Sequence, residues 1–244
     1  MGVPFLLRTL TSGGTSQTRA AAIAGLLLAV ILIVTSLKKG NNLFVWHVIG
    51  MSTAVLAFQP AALHAIMASK GFSSLEPRLQ KVFDHKMLQI ASVAALWAGF
   101  FAIFLNKPQE FPGVHFQSVH SLVGLGALLL FTYNLLDAAY RQGANPIKPK
   151  LTWISVIHRN AGLFAYFLGF FAVILGLYNR VAVVDWRKWP LEFTLPAGWK
   201  DMGGWGTKTH GQDATVVYIA ISGLVLIMML SSSRPIIEES RKKQ

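Results

Sequence analysis

Six long, almost uncharged apolar runs constrain this chain more than any other feature of its sequence. They lie at Ala20–Leu37, Leu43–Ala68, Phe83–Leu105, His115–Leu136, Trp153–Tyr178 and Ala214–Leu230. An α-helix needs roughly 17–25 such residues to cross a bilayer. Backbone polar groups in lipid must bond within the chain, so these runs are expected to be helical. The sequence therefore predicts an all-α membrane protein, a bundle of six transmembrane helices.

Charge and composition exclude several classes of protein. The formal net charge is +12, yet the basic residues stand at the ends of the runs rather than in one patch, which argues against a nucleic-acid partner. More of them flank the N-terminal side of the bundle, so both termini are expected in the cytosol or its equivalent. No acid in mid-membrane and no sign of repeated broken helices argue against a transporter. Without cysteine, neither a disulfide nor thiol chemistry is available.

The ends of the chain are expected to lie outside the membrane domain. Residues 1–19 are free of acids and contain Arg, Ser and Thr. We interpret them as a short disordered cytosolic tail, with a mitochondrial targeting segment as the alternative. The membrane domain is assigned to residues 20–232 and a basic C-terminal tail to residues 233–244. Pro60 lies inside the second run and predicts a kink there.

Four histidines fall at two depths in the predicted bundle. A helical rise of about 1.5 Å per residue places His47 and His120 near the outer ends of their helices. The same rule places His85 and His158 near the inner ends, roughly 20 Å away. Because imidazole is costly to bury in lipid without a partner, the two level pairs indicate two binding sites. Scattered polar residues bonded to backbone carbonyls are the alternative.

Two histidines per level suit a haem iron better than a bare metal ion. Zinc would need more protein ligands, and the chain has no cysteine and no acid in mid-membrane to supply them. Haem brings four equatorial nitrogens and needs only two axial groups. The interpretation is therefore two metal centres, with His47 and His120 on one iron and His85 and His158 on the other. Iron with both axial positions filled by imidazole suits electron transfer rather than oxygen binding.

Two glycines accompany these candidate ligands. Gly124 follows His120 by four residues and Gly162 follows His158 by four, which puts each glycine one turn away on the same helix face. A flat macrocycle would lie against that turn, where a side chain would obstruct it. Close helix packing is the alternative explanation, because small residues let membrane helices approach.

Four short segments carry a resemblance to a known family. They are "FVWHVIGM" (Phe44–Met51), "DHKMLQ" (Asp84–Gln89), "VHSLVG" (Val119–Gly124) and "IHRNAG" (Ile157–Gly162). The chain resembles the cytochrome b561 family from about residue 20 to 232. The resemblance implies a six-helix bundle whose four central helices hold two haem b groups, and it assigns the same histidine pairs. Val48 departs from the family pattern, in which proline follows Trp-His.

The resemblance also implies an activity, that of a transmembrane ascorbate-dependent oxidoreductase. Its donor would be ascorbate inside, and its acceptor monodehydroascorbate or a ferric chelate outside. Lys81 and Arg78 share a face with His85 if the third helix extends inward, and the resemblance carries them over as cations for ascorbate. The ordinary basic fringe of a helix end is the alternative. Arg159 is expected either to contact a haem propionate or to extend its charge to the inner surface.

His115 stands five residues before His120, about 140° around a helix, so the two rings point apart. The resemblance implies a role with the electron acceptor, and an interfacial histidine bonded to water is the alternative.

A different reading of the whole chain is a b561-like accessory or structural subunit of a larger membrane complex. The expected location is an endomembrane or the plasma membrane, with the mitochondrial inner membrane as the alternative. A homodimer also stays open.

Overall fold

The described residues between 3 and 178 are almost all helical. The computed structural model describes residues 3–11, 13–38, 40–106, 116, 119–143, 156–178, 192–193 and 210–211. Its helices are α1 (Val3–Thr11), α2 (Ser16–Leu37), α3 (Leu43–Ser52), a π-helix (Thr53–Phe58), α4 (Gln59–Ser69), α5 (Leu75–Asn106), α6 (Val119–Gly143) and α7 (Val156–Tyr178). Two antiparallel two-residue strands, β1 (Glu192–Phe193) and β2 (His210–Gly211), pair Glu192 with Gly211.

Five stretches of the described residues are long and apolar enough to cross a membrane. They correspond to the first five predicted runs, with the α3, π and α4 segments together forming the second. The sixth run, Ala214–Leu230, lies outside the described residues. Two predicted starts were inaccurate: the first helix begins at Ser16 rather than Ala20, and the third begins at Leu75 rather than Phe83. The start predicted at His115 lies outside the described residues, in which the fourth helix runs from Val119.

Helix α2 shows how the bundle packs. Thr15 caps its first turn by accepting a hydrogen bond from the Thr18 N–H. One face buries small residues such as Ala22 and Ala29 against the neighbouring helices, while the other exposes Leu27 and Val34. Small residues on the packed face and large apolar residues outside are typical of helices in a bilayer.

The second span is not a continuous α-helix. In the π-helix the Gln59 N–H bonds the Ala54 carbonyl, a step of five residues instead of four. Pro60 follows immediately, and proline can neither donate to a carbonyl four residues back nor fit its ring against it. The disturbance predicted at Pro60 therefore takes the form of a π-helix in the turn before it.

The N-terminal segment differs from the expected disordered tail. Val3–Thr11 form a helix that packs on α4, and Thr9 and Leu10 are buried. Two consecutive glycines with positive φ, Gly13 (75°) and Gly14 (76°), lie between α1 and α2. Only glycine adopts this conformation without cost, so they allow the chain to reverse there. We call the end of the bundle that carries α1 the N-terminal end.

Candidate haem sites

His47 on α3 and His120 on α6 face each other at the end of the bundle opposite α1. Their ring centres are 6.3 Å apart and the ring planes are perpendicular. A metal ion bound between two imidazoles at the usual bond length of about 2 Å separates the ring centres by roughly 6 Å. The outer pair predicted from the sequence is therefore brought together at the spacing that a shared metal requires.

The hydrogen bonds of these two rings fix the nitrogen that could bind the metal. His47 Nδ1 lies 3.0 Å from the Gly99 carbonyl oxygen, and His120 Nδ1 lies 2.8 Å from the Ala172 carbonyl oxygen. A carbonyl can only accept, so each Nδ1 carries the proton and each Nε2 carries the lone pair. Metal-binding histidines are typically oriented by such a bond from the second nitrogen.

Close backbone contacts place the rings against these carbonyls. Gly50 on α3 meets Gly99 on α5, where a Cβ on Gly50 would lie 2.9 Å from the Gly99 Cα. A Cβ on Gly176 would lie 2.9 Å from His120 Cε1. These glycines let α5 and α7 approach closely enough for His47 and His120 to bond the backbone.

The second pair lies toward the N-terminal end. His85 Nδ1 on α5 lies 2.9 Å from the Ala62 carbonyl oxygen on α4, so it too donates from Nδ1. His158 on α7 lies near the backbone of Asn134 and near His85. The Asn134 Oδ1 beside it is buried with no hydrogen-bond partner among the described residues.

Each helix of the site supplies a histidine at one level and backbone that lies against a histidine at the other: the bonded carbonyls of Gly99, Ala62 and Ala172, and the backbone near His158 at Asn134. The sequence separation between the two is 14 in three cases: His85 to Gly99, His120 to Asn134 and His158 to Ala172. From His47 to Ala62 it is 15. The π-helix lies within this fourth stretch, and its wider turn holds the additional residue.

The positions of these histidines and carbonyls also reveal an internal repeat that was not predicted from the sequence. His47 and His120 are 73 residues apart, and so are His85 and His158. Gly99 and Ala172, the carbonyls of the outer level, have the same separation. The pair formed by the α3–α4 span and α5 is therefore matched, element for element, by α6 and α7.

The two glycines predicted to clear a haem differ in their surroundings. A Cβ on Gly124 would have Ala172 Cβ as its nearest neighbour, at 3.9 Å, so helix packing does not demand a glycine there. A Cβ on Gly162 would lie 2.8 Å from Asn134 Nδ2, a close contact with a side chain. Packing therefore accounts for Gly162 but not for Gly124.

The predicted donor-side cations are placed differently from one another. Arg78 and Arg159 are half-buried, whereas Lys81 is 3% exposed and lies under α1. Lys81 Nζ donates to the Thr9 carbonyl at 3.1 Å and lies 3.8 Å from Asp84 Oδ2. The inward extension of α5 puts Lys81 one turn from His85, as expected. His115 lies outside the described residues.

A polar cluster on α4 and α5 was missed by sequence reasoning. The side-chain amides of Gln59 and Gln89 exchange two hydrogen bonds of 3.0 Å each. Gln59 also donates to Ser92 at 2.9 Å, and Ser92 donates to the Ala54 carbonyl in the π-helix. Gln89 follows His85 by four residues, a separation that could have indicated a shared face. The cluster joins α5 to the second span where that span departs from α-helical geometry.

The described residues contain no group of three or more His, Cys, Asp or Glu placed to hold a metal ion. Two imidazoles per level therefore fit a metal that brings the rest of its ligands in a macrocycle. All four rings are only half-buried by protein. Together with the Nδ1 bonds, the 6.3 Å ring separation and the open face of Gly124, this donor set fits haem.

Comparison with known proteins agrees with this interpretation. The family described as eukaryotic cytochrome b561 matches residues 46–183. The chain is 27% identical to the transmembrane reductase CYB561D2 of Mus musculus over 192 residues, which cover 75% of this chain and 82% of the mouse protein. No solved structure matches the chain.

Proposed function

Because the chain belongs to the eukaryotic cytochrome b561 family, we propose that it carries single electrons from ascorbate at its N-terminal end to an acceptor at the opposite end. Members of this family are transmembrane reductases that bind haem b, so the chain is an integral membrane oxidoreductase. The proposed acceptor is monodehydroascorbate or a ferric chelate. An accessory or structural role is not favoured by this membership.

The observation that supports the proposal most is the His47–His120 pair, with its 6.3 Å ring separation. We assign one haem b to these two residues and a second to His85 and His158. When bound, each haem supplies a one-electron carrier. The chain itself holds the rings neutral and oriented through the carbonyls of Gly99, Ala172 and Ala62.

At the N-terminal end, basic side chains would attract the ascorbate anion. Arg78 and Lys81 lie on the part of α5 that extends beyond His85, and Arg159 adjoins His158. Cations of this kind strengthen hydrogen bonds to an oxyanion. Because more basic residues flank this side, we propose that both termini lie in the cytosol or its equivalent. The proposed membrane is an endomembrane or the plasma membrane.

The first test of the ligand assignment is haem content. We expect His85→Ala and His120→Ala each to remove about half of the haem, because each variant disrupts one of two levels. Quantifying haem in the purified protein measures this loss. Full haem content in both variants would contradict the assignment.

The second test separates His115 from the ligands. His115→Ala is expected to keep the full haem content and to slow only the oxidation of the reduced protein by an outer ferric chelate. Stopped-flow spectra of the variant, with ascorbate reduction as the internal control, measure both half-reactions. Loss of haem would show that His115 is a ligand or holds one in place.

The function itself is tested in vesicles of known orientation. Ascorbate supplied on the side of the N-terminus should reduce a ferric chelate enclosed on the other side. The haem-deficient His120→Ala protein, in the same vesicles, controls for leakage. Equal reduction by ascorbate from either side of the bilayer would contradict the proposed direction.

A further inference from the structure

Helix α1 covers the N-terminal end of α5. The carboxylate of Asp84, which is fully buried, accepts hydrogen bonds from Arg8 Nη2 at 2.9 Å and from Gln80 Nε2 at 3.0 Å. The Thr9 hydroxyl lies 3.4 Å from its other oxygen. The same turn of α1 supplies the Thr9 carbonyl to Lys81. One turn of α1 is therefore bonded both to the buried acid and to the buried lysine.

The contacts that hold α1 differ in their exposure to water. The Arg8 side chain is 52% exposed, whereas the side chains of Lys81 and Asp84 are 4% and 0% exposed. An exposed ion pair contributes little and is weakened further by salt. The outermost contact of α1 is thus the easiest to break, and the groups beneath it are the most hidden.

Basic groups also collect beneath the turn that joins α1 to α2. His64 is fully buried, and the charges of Lys81 and Arg19 both act on it. Its Nδ1 lies 2.9 Å from Thr18 Oγ1, while its Nε2 has no hydrogen-bond partner among the described residues. Gly14 lies directly against the ring. An anion reaching this region would meet the cations Lys81 and Arg19 and would compete with the Asp84 carboxylate for Lys81.

We propose that α1 is a hinged lid over Lys81, latched by Arg8 and Asp84 and turning at Gly13–Gly14. In the closed state the Thr9 carbonyl and the Asp84 carboxylate occupy Lys81, so an anionic electron donor cannot reach it. Opening of α1 exposes Lys81 to the donor. The gating of ascorbate rests on the proposed function, whereas the movement of α1 does not.

Thiol labelling tests the movement, because the chain has no cysteine of its own. Leu10 is 5% exposed and takes no part in the latch, so Leu10→Cys introduces a reporter thiol beneath the lid. Thr11→Cys places a reference thiol on the exposed side of α1. We expect a membrane-impermeant maleimide to label residue 10 slowly and residue 11 quickly in the full-length, haem-loaded protein.

Breaking the Arg8–Asp84 pair should raise the labelling rate at residue 10 and leave the rate at residue 11 unchanged. Arg8→Gln is expected to raise labelling at residue 10 at least about twofold, because it removes the water-facing partner of the buried Asp84 carboxylate. Arg141→Gln is the matched control, since it breaks another 2.9 Å arginine–aspartate pair, with Asp137 at the end of α6. Equal labelling of residues 10 and 11 with the latch intact, or no response to Arg8→Gln, would overturn the lid.

The rate of haem reduction by ascorbate tests the gating. We expect Arg8→Gln to raise this rate by a similar factor, and Lys38→Gln, which removes an exposed cation at the opposite end of the bundle, to leave it unchanged. Loss of a cation alone would slow the capture of an anion, so an increase identifies release of the lid. Faster labelling without faster reduction would overturn the gating of Lys81. If ascorbate fails to reduce even the unaltered protein, the proposed donor is wrong and the labelling still decides whether α1 moves.

Discussion

The proton on Nδ1 determines what the histidines of this bundle can bind. His47, His85 and His120 each direct that proton to a carbonyl on a neighbouring helix. The bond keeps the ring neutral with its lone pair on Nε2, and it also fixes the plane of the ring. Each ring is thus prepared by the backbone of another helix before any metal is present.

Gly124 allows haem clearance to be distinguished from helix packing. We expect Gly124→Ala to lower haem content at the His47–His120 level without destabilising the protein, because its Cβ would meet only Ala172 at 3.9 Å. Gly126→Ala is the matched control, with Leu168 as its nearest neighbour at 3.8 Å. Both changes should favour the helix by up to about 1 kcal/mol.

The measurements for this prediction are haem content and thermal unfolding of the haem-free form. A fall in haem with Gly124→Ala alone supports clearance. Equal haem content in the two variants would contradict it and leave Gly124 without a demonstrated role.

The sequence made the histidines conspicuous, because imidazole is rare and costly in apolar runs. Their carbonyl partners could not be predicted, since every residue carries a carbonyl and only the packing selects Gly99, Ala62 and Ala172. The position of Lys81 was predicted along α5, but not its burial. Lys81 is buried by α1. The sequence of α1 resembles a disordered tail, because the contacts of Arg8 and Thr9 with Asp84 that hold it in place form only in the folded protein.

Among the helices, the π-helix is the element with the most specific consequence. It allows the span from His47 to Ala62 to hold 15 residues where its three counterparts hold 14. Pro60 gives a reason for its position, because the missing N–H breaks the regular ladder there. The sequence predicted an irregularity but could not give its form; in the structure the Ala54 carbonyl accepts hydrogen bonds from both the Gln59 N–H and the Ser92 hydroxyl.

Deleting one residue tests this account of the register. We expect deletion of Val55 combined with Pro60→Ala to give a regular α-helix that keeps both haem levels, because the separation becomes 14. Deletion of Leu129 is the matched control, since it shortens the stretch from His120 to Asn134 in an already regular helix. The control should turn the following residues by about 100° and lose at least one level. Haem content and reduced-minus-oxidised spectra measure the outcome.

The opposite result would have a clear meaning. If the Val55 deletion loses as much haem as the Leu129 deletion, the extra residue is needed for the site and the π-helix is not a correction of register.

For the whole molecule, the outward surface is as informative as the core. Large apolar side chains such as Leu27, Phe101 and Leu129 are exposed along the described helices. In water such a surface would drive association, whereas in lipid it is the expected exterior. Hydropathy therefore predicted the first five spans well, and only the exact helix ends depended on capping and on contacts with neighbouring segments.

Placing one charge on this surface tests its orientation toward lipid. Leu129 lies in the middle of α6 and is 53% exposed, so Leu129→Arg should oppose membrane insertion by about 2.5–3.5 kcal/mol. Tyr140→Arg is the control, because Tyr140 is 78% exposed but lies near the end of the same helix. A glycosylation-based insertion assay measures the difference. Equal insertion of the two variants would show that Leu129 does not face lipid.

Each of the four helices contributes a histidine to one level and backbone contacts to the other, so a movement of one helix affects both levels. Shifting α5 along its axis would move His85 away from one proposed haem site and, at the same time, withdraw the Gly99 carbonyl that orients His47 at the other. Damage at either level is therefore transmitted to both. The two proposed haem sites are held by the same four helices, so their reduction potentials should shift together when any one of these helices is displaced.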